Sequence, residues 1–282
     1  MESLQRSTVV ALVLGACLAA VAAAETRKEF HFTVGPNANI SVDNQYGAIT
    51  VKPGTSNQVV ITATQRSDKT EVDNVQRGNR IEIASHLLPG ADQQNGRVDY
   101  ELQIPSDATL SLRSSTGPLS VDSLQGDLTL EGADAVVDVR NVNNGHVHVR
   151  TIGGAITLTD IRNGHVEISS ISGPLTMKSV NGPVVQANSG SGKIFYDGDF
   201  GSGGDYKLTT HTGDIEAVVP ANASADFSAH SITGKVQNDF NLEPRHSRYS
   251  WDEGRAFFGT VGKAASKVVL HSFSGKIRLK QR

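Results

Sequence analysis

The chain of 282 residues carries one cysteine, one tryptophan and two methionines, and its aromatic residues amount to 5%. Its one cysteine, Cys17, lies in an N-terminal apolar segment, so no disulfide framework holds the rest of the protein together. With so few large side chains, a broad globular core is disfavoured and a thin one suffices. Beyond residue 24 no apolar run approaches the roughly 18 residues that a membrane-spanning helix requires. Lys and Arg number 26 against 29 Asp and Glu, and no basic stripe is present, which argues against nucleic acid as a partner. No nucleophile elbow occurs. The acids at outward positions, Asp127, Asp138, Glu167, Asp214 and Glu216, are spread over different segments, and only Asp214 and Glu216 share a strand face. A glycan-cleaving enzyme needs paired or clustered carboxylates. The sequence therefore reads as non-enzymatic, with no cofactor.

Glycine, by contrast, is abundant and regularly placed. TGPLSVDSL (116–124), NGHVHVRTI (144–152), GGAITLTDI (153–161), NGHVEISSI (163–171) and SGPLTMKSV (172–180) all follow Gly-x-φ-x-φ-x-x-φ, with φ apolar. Alternation of apolar and polar residues is the two-residue period of a β-strand with one wet face. Glycines 117, 154, 173 and 192, with Ala135 in the vacant slot, form one series spaced by 18 or 19 residues, and 126, 145, 164 and 182 form another. A fixed short period marks a unit that buries its apolar face only by stacking on its neighbours. The fold class is all-β, a parallel β-solenoid with two strands per 18–19-residue coil and irregular β caps at both ends.

Strands of one series stack about 4.8 Å apart. Leu119, Val137, Ile156, Leu175 and Ile194 are expected on one inner wall, and Leu128, Val147, Val166 and Val184 on the other. Leu124, Val142, Ile152, Ile161, Ile171 and Val180 are expected to fill the corners. Each glycine suits a corner that needs positive φ or has no room for Cβ. Asn144, Asn163 and Asn181 precede glycines of the second series and are expected to form a ladder along one corner.

Residues 1–24 combine Arg6, the apolar run Val9–Val21 and Ala22-Ala23-Ala24, the pattern of a secretory signal peptide cleaved after Ala24. The context Leu14-Gly15-Ala16-Cys17 also resembles a lipoprotein box, so lipidation at Cys17, and with it a membrane tether, stands as the alternative. Localisation is accordingly expected in the periplasm, on the outer surface or outside the cell. Residues 25–110 read as an N-terminal β cap, 111–240 as the regular coils, and 241–282 as a C-terminal cap with closing strands, all in one structural domain. Such caps are required because an open rung polymerises.

VDYELQIPSDATLSLRSSTGPLSV (98–121), the SG/TG-x-φ-x-φ coils and GTVGKAASKVVLHSFSGKIRL (259–279) resemble the bacterial putative-adhesin family. The resemblance covers nearly all of residues 30–282 and implies an exported β-solenoid related to auto-transporter adhesin heads. It carries over no catalytic residue.

Two constellations are candidate sites. His146 and His165 are 19 residues apart, as are His148 and Glu167, so stacking sets three imidazoles and a carboxylate in a square, with Asp127 one coil before, a set that can ligate a divalent metal. Against this stands an ordinary polar, solvated face. The second is RHSRYSWDEGRAFF (245–258), where Tyr249, Trp251 and Arg248 suit a sugar or peptide surface. Its alternative is that Trp251, Phe257 and Phe258 cover the last rung. The functional expectation is a non-catalytic adhesin or interaction scaffold whose partner is an envelope protein or a surface glycan. The alternatives are an envelope-stress or sensing accessory protein that binds a protein partner and, third, a polysaccharide-active enzyme.

Overall fold

The computed structural model describes residues 25–244 and 254–282. Among them, 25 strands form two sheets and no helix occurs. The first sheet stacks Leu119–Asp122, Val137–Asn143, Ile156–Arg162, Leu175–Val180, Ile194–Asp197 and Ile215–Val219 as parallel neighbours. The second stacks Thr109–Thr116, Leu128–Gly132, His146–Thr151, His165–Ser170, Val184–Ser189 and Asp205–Thr210 in the same way. Leu119, Val137, Ile156, Leu175 and Ile194 meet as register partners on successive coils. All five are fully buried. Burying such side chains contributes roughly 1.5–3 kcal/mol each, so every added coil supports its neighbours through a core two residues deep.

On the opposite wall Leu128, Val147 and Val166 stack as expected, but the next partner is Val185 and not Val184. Pro183 lengthens the approach to this strand by one residue. A one-residue slip exchanges the faces of a strand, so Val184 pairs with His165 on the outer face and Val185 is buried.

The corners also divide by series. Leu124, Val142, Ile161 and Val180 are buried, whereas Ile152 and Ile171 are 54% and 63% exposed. The reason is that Thr151 and Ser170, one position earlier, turn inward and fill that corner with hydroxyls. Gly173 N–H donates to Ser170 Oγ at 2.8 Å, and Thr151 Oγ1–H donates to Gly154 O at 2.8 Å. The isoleucines are left outside.

Lack of room explains the glycines of the first series. A Cβ on Gly154 would lie 1.8 Å from Ala135 O, and one on Gly173 would lie 2.0 Å from Gly154 O. Gly117 of that series also has a positive φ (123°), and before the second-series glycines 145 and 164 positive φ falls on Asn144 (59°) and Asn163 (53°), a conformation asparagine tolerates. Asn163 N–H donates to Asn181 Oδ1 at 3.3 Å, so this link between coils runs from backbone to side chain.

The order of coils departs from the order of the chain at both ends. Asn39–Tyr46 pairs with Thr109–Thr116 on one side and Arg80–Leu87 on the other. Residues 39–53 thus form a coil between residues 80–104 and residues 109–122. Likewise Ser266–Ser272 lies between Asp205–Thr210 and Ala225–Ser231, so the closing strands sit within the stack. Antiparallel strands finish the ends: Thr26–Thr33 on Gln58–Gln65, Thr70–Arg77 on Arg80–Leu87, and Ala256–Val261 on Ala225–Ser231. Charged residues along the edge strand Thr26–Thr33 discourage further pairing.

Candidate functional site

The hydroxyl-filled corner continues along the stack. Ser114, Thr151, Ser170, Ser189, Thr210, Ser272 and Ser231 are all buried, and each stands three residues before a glycine. Gly192, Gly213, Gly234 and Gly275 donate their N–H groups to the hydroxyls of Ser189, Thr210, Ser231 and Ser272 at 2.8–3.0 Å. The recurring Ser/Thr-x-x-Gly is the sequence signal for this feature, set beside a more conspicuous apolar pattern. Since each hydroxyl binds its own turn, the following residue is held outward on these coils, and Ala133, after Gly132, takes the same place on the one coil where glycine replaces the hydroxyl.

Those outward residues form one wall of a groove of about 940 Å³ that crosses coils from Asp43 to Phe273. Along the wall run Ala133, Ile152, Ile171, Gly190, His211 and Phe273. The opposing side is the last outward column of the second sheet. Register places Arg113, Glu131, Arg150, Ser169, Asn188, Thr209 and His271 in succession there. Arg113 Nε donates to Glu131 Oε2 at 2.9 Å, so opposite charges pair within the groove. Toward the far end His211 and Phe273 stack with ring centroids 4.8 Å apart and planes 20° from parallel. Two polar atoms of the lining, Asn44 Oδ1 and Thr209 Oγ1, are buried without a hydrogen-bond partner.

The histidine square assembles in register on the neighbouring columns: His146 pairs with His165 and His148 with Glu167. His165 Nε2 lies 3.1 Å from Glu167 Oε1, His148 Nδ1 3.5 Å from Glu167 Oε2, and His146 Nδ1 3.7 Å from Asp127 Oδ1. The hydrogen bond with His165, with a smaller contribution from His148, holds the Glu167 carboxyl below its ordinary range. Among the described residues no three His, Cys, Asp or Glu side chains converge as a metal centre does. The imidazoles serve Glu167 and Asp127 pairwise. We expect calorimetric titration with Zn²⁺ to give the same negligible heat for the wild type and for His146→Ala/His165→Ala. A heat that the double variant abolishes would establish a metal site at the square.

Arg248, Tyr249 and Trp251 lie outside the described residues. Phe257 and Phe258 pair with Ala229 and Ser228 in the antiparallel strand that finishes the second sheet. Phe257 is partly buried against the core.

Glu216, on the outer face of the first sheet, is engaged by two lysines. Lys193 Nζ and Lys280 Nζ both donate to Glu216, at 2.6 Å each, and hold its carboxyl at about 2. Because the folded pKa is depressed, the stabilisation is present above the unfolded value of 4.5 and is lost as pH falls from there to about 2. Glu216→Gln is expected to cost about 1 kcal/mol at pH 7, allowing for solvent screening. In urea unfolding that difference should shrink toward zero as the pH falls toward 2, and a difference independent of pH would assign the effect to packing.

A model of the Toastrack DUF4097 family matches residues 37–280. No curated protein matches the chain. Among solved structures the chain is similar to a putative cell adhesion protein from Clostridium sporogenes, at 13% identity and a TM-score of 0.31, over 91% of this chain and 100% of that one. It is similar to a putative adhesin from Bacteroides fragilis at 10% identity and a TM-score of 0.45, over 90% and 97%. A putative adhesin from Parabacteroides merdae follows, at 12% identity and a TM-score of 0.38, over 90% and 95%.

Proposed function

We propose, for a chain that belongs to the Toastrack DUF4097 family, that it is an exported, non-catalytic interaction scaffold of the bacterial envelope, adhesin-like in kind, whose recognition surface is the corner groove. The observation that carries this reading is the exposure of Ile152, Ile171 and Phe273 (54%, 63% and 42%) along one continuous groove, which gathers three of the six exposed large apolar side chains among the described residues. Exposed apolar residues gathered in one groove signify a binding surface more than isolated ones do. The acids support a non-catalytic reading. A general acid working near neutral pH needs a raised pKa, while hydrogen bonds lower both Glu167, through His165 on its own strand, and Glu216, through Lys193 and Lys280.

Export rests on the composition of residues 1–24, and mass spectrometry of the native protein tests it. A mature N-terminus at Glu25 is expected, an acylated Cys17 would add a membrane tether, and a retained Met1 in the cytoplasmic fraction would contradict export. The groove is tested by binding of the purified protein to envelopes of its own host. Ile171→Glu, a change at an exposed position that leaves the core intact, is expected to weaken binding about tenfold. Equal binding by both proteins would remove the groove from the function.

A further inference from the structure

The groove repeats along its length, and that restricts what it can hold. Its lining spans eight successive strands of the second sheet, from the coil of Asp43 to that of His271 and Phe273. At about 4.8 Å per coil the path is about 34 Å long. Equivalent positions recur at every coil, so the complementary ligand is one whose own unit recurs at a similar interval. An extended peptide advances roughly 3.3 Å per residue and falls out of step with the coils at once. The ring-by-ring repeat of a linear polysaccharide is closer in scale to one coil.

Charge and polarity narrow the choice. The charged part of the groove is internally balanced: Asp43, Arg113, Glu131 and Arg150 alternate in register, and Arg113 is already bonded to Glu131. It presents no excess of either sign to a polyanion or a polycation. Past Arg150 the column becomes Ser169, Asn188 and Thr209, small neutral side chains at coil spacing. Opposite them stand Ile171 and the stacked pair His211 and Phe273, which offer aliphatic and aromatic surface of the kind that sugar rings cover.

We propose that the groove binds a linear, uncharged polysaccharide laid parallel to the stacking axis, with about one sugar per coil against Ser169, Asn188 and Thr209. The inference rests on the groove being the recognition surface. Calorimetric titration of the purified protein with cellohexaose, chitohexaose and laminarihexaose tests it, beside a ten-residue polyproline peptide and a heparin hexasaccharide. At least one neutral hexasaccharide should bind with a Kd near or below about 1 mM. Its trisaccharide should bind about tenfold more weakly, because fewer coils are engaged, and Ile171→Glu or Phe273→Ala should weaken the hexasaccharide about tenfold. The proposal is overturned by failure of all three neutral hexasaccharides, by sugar binding that Ile171→Glu leaves unchanged, or by tighter binding of polyproline or heparin. If the sugars fail while Ile171→Glu still releases the protein from envelopes, the polysaccharide is wrong and the groove stands. If envelope binding is untouched by Ile171→Glu, the groove reading itself falls.

Discussion

Gly154→Ala is expected to destabilise the protein by about 3 kcal/mol or more, the upper range for overpacking. The added Cβ would sit 1.8 Å from Ala135 O and 2.5 Å from Ala135 C, both backbone atoms of the coil beneath. A flexible side chain could swing away. A backbone carbonyl held between two coils cannot, since Ile156 on the same coil is locked in register with Val137 on one side and Leu175 on the other. The neighbouring change Ser172→Ala, at an exposed position, should cost less than about 0.5 kcal/mol. Urea unfolding of the three proteins reads the difference. A Gly154→Ala midpoint within error of the wild type would mean that the coils are not stacked as closely as described.

Phe200→Ala is expected to cost about 3–5 kcal/mol, the range for removing a buried aromatic ring. Phe200 belongs to the glycine-rich stretch 198–204, which looks in sequence like a loose insertion between two coils. In the structure it is fully buried with φ of 60°, and its ring stacks on Tyr196 at 4.3 Å between centroids. Tyr206 and Phe227 approach it edge-on at 5.0 and 5.7 Å. The Tyr196 hydroxyl accepts from Phe200 N–H at 3.0 Å and donates to Val180 O at 3.0 Å. The stretch thus inserts a ring into a widened part of the core. Phe200→Leu, which keeps most of the volume, should recover at least half of the loss. Equal stability of Phe200→Ala and the wild type would place the ring outside the core.

Where the glycine spacing is constant, the sequence states the fold in full: Leu119 through Ile194 stack as the period requires, because a two-residue alternation leaves one choice of inward face. Pro183 interrupts that regularity, and the inward residue moves from Val184 to Val185. Ile152 and Ile171 satisfy the same apolar pattern as Ile161 yet are exposed, because hydrophobicity at a corner does not reveal which of two adjacent side chains the turn's hydrogen bonds draw inward. The groove follows from that inversion and so escaped a reading based on apolar positions. The insertion of residues 39–53 and 266–281 between other coils was equally hidden, since which coil neighbours which is decided by long-range pairing and leaves the local pattern of each strand unchanged. The histidine square was legible as a juxtaposition, and what the spacing did not disclose was that its carboxylates already engage the imidazoles.

The most direct measurement of the account is a hydroxyl-radical footprint of the protein with and without the tightest-binding neutral hexasaccharide. Protection is expected at Phe273, His211, Ile152 and Ile171, the wall of the groove, with no change at Phe195 on the outer face of the first sheet. Protection centred on Phe195 and its neighbours, with Ile152, Ile171 and Phe273 labelled as in the free protein, would contradict the claim that the corner groove is where this solenoid recognises its ligand.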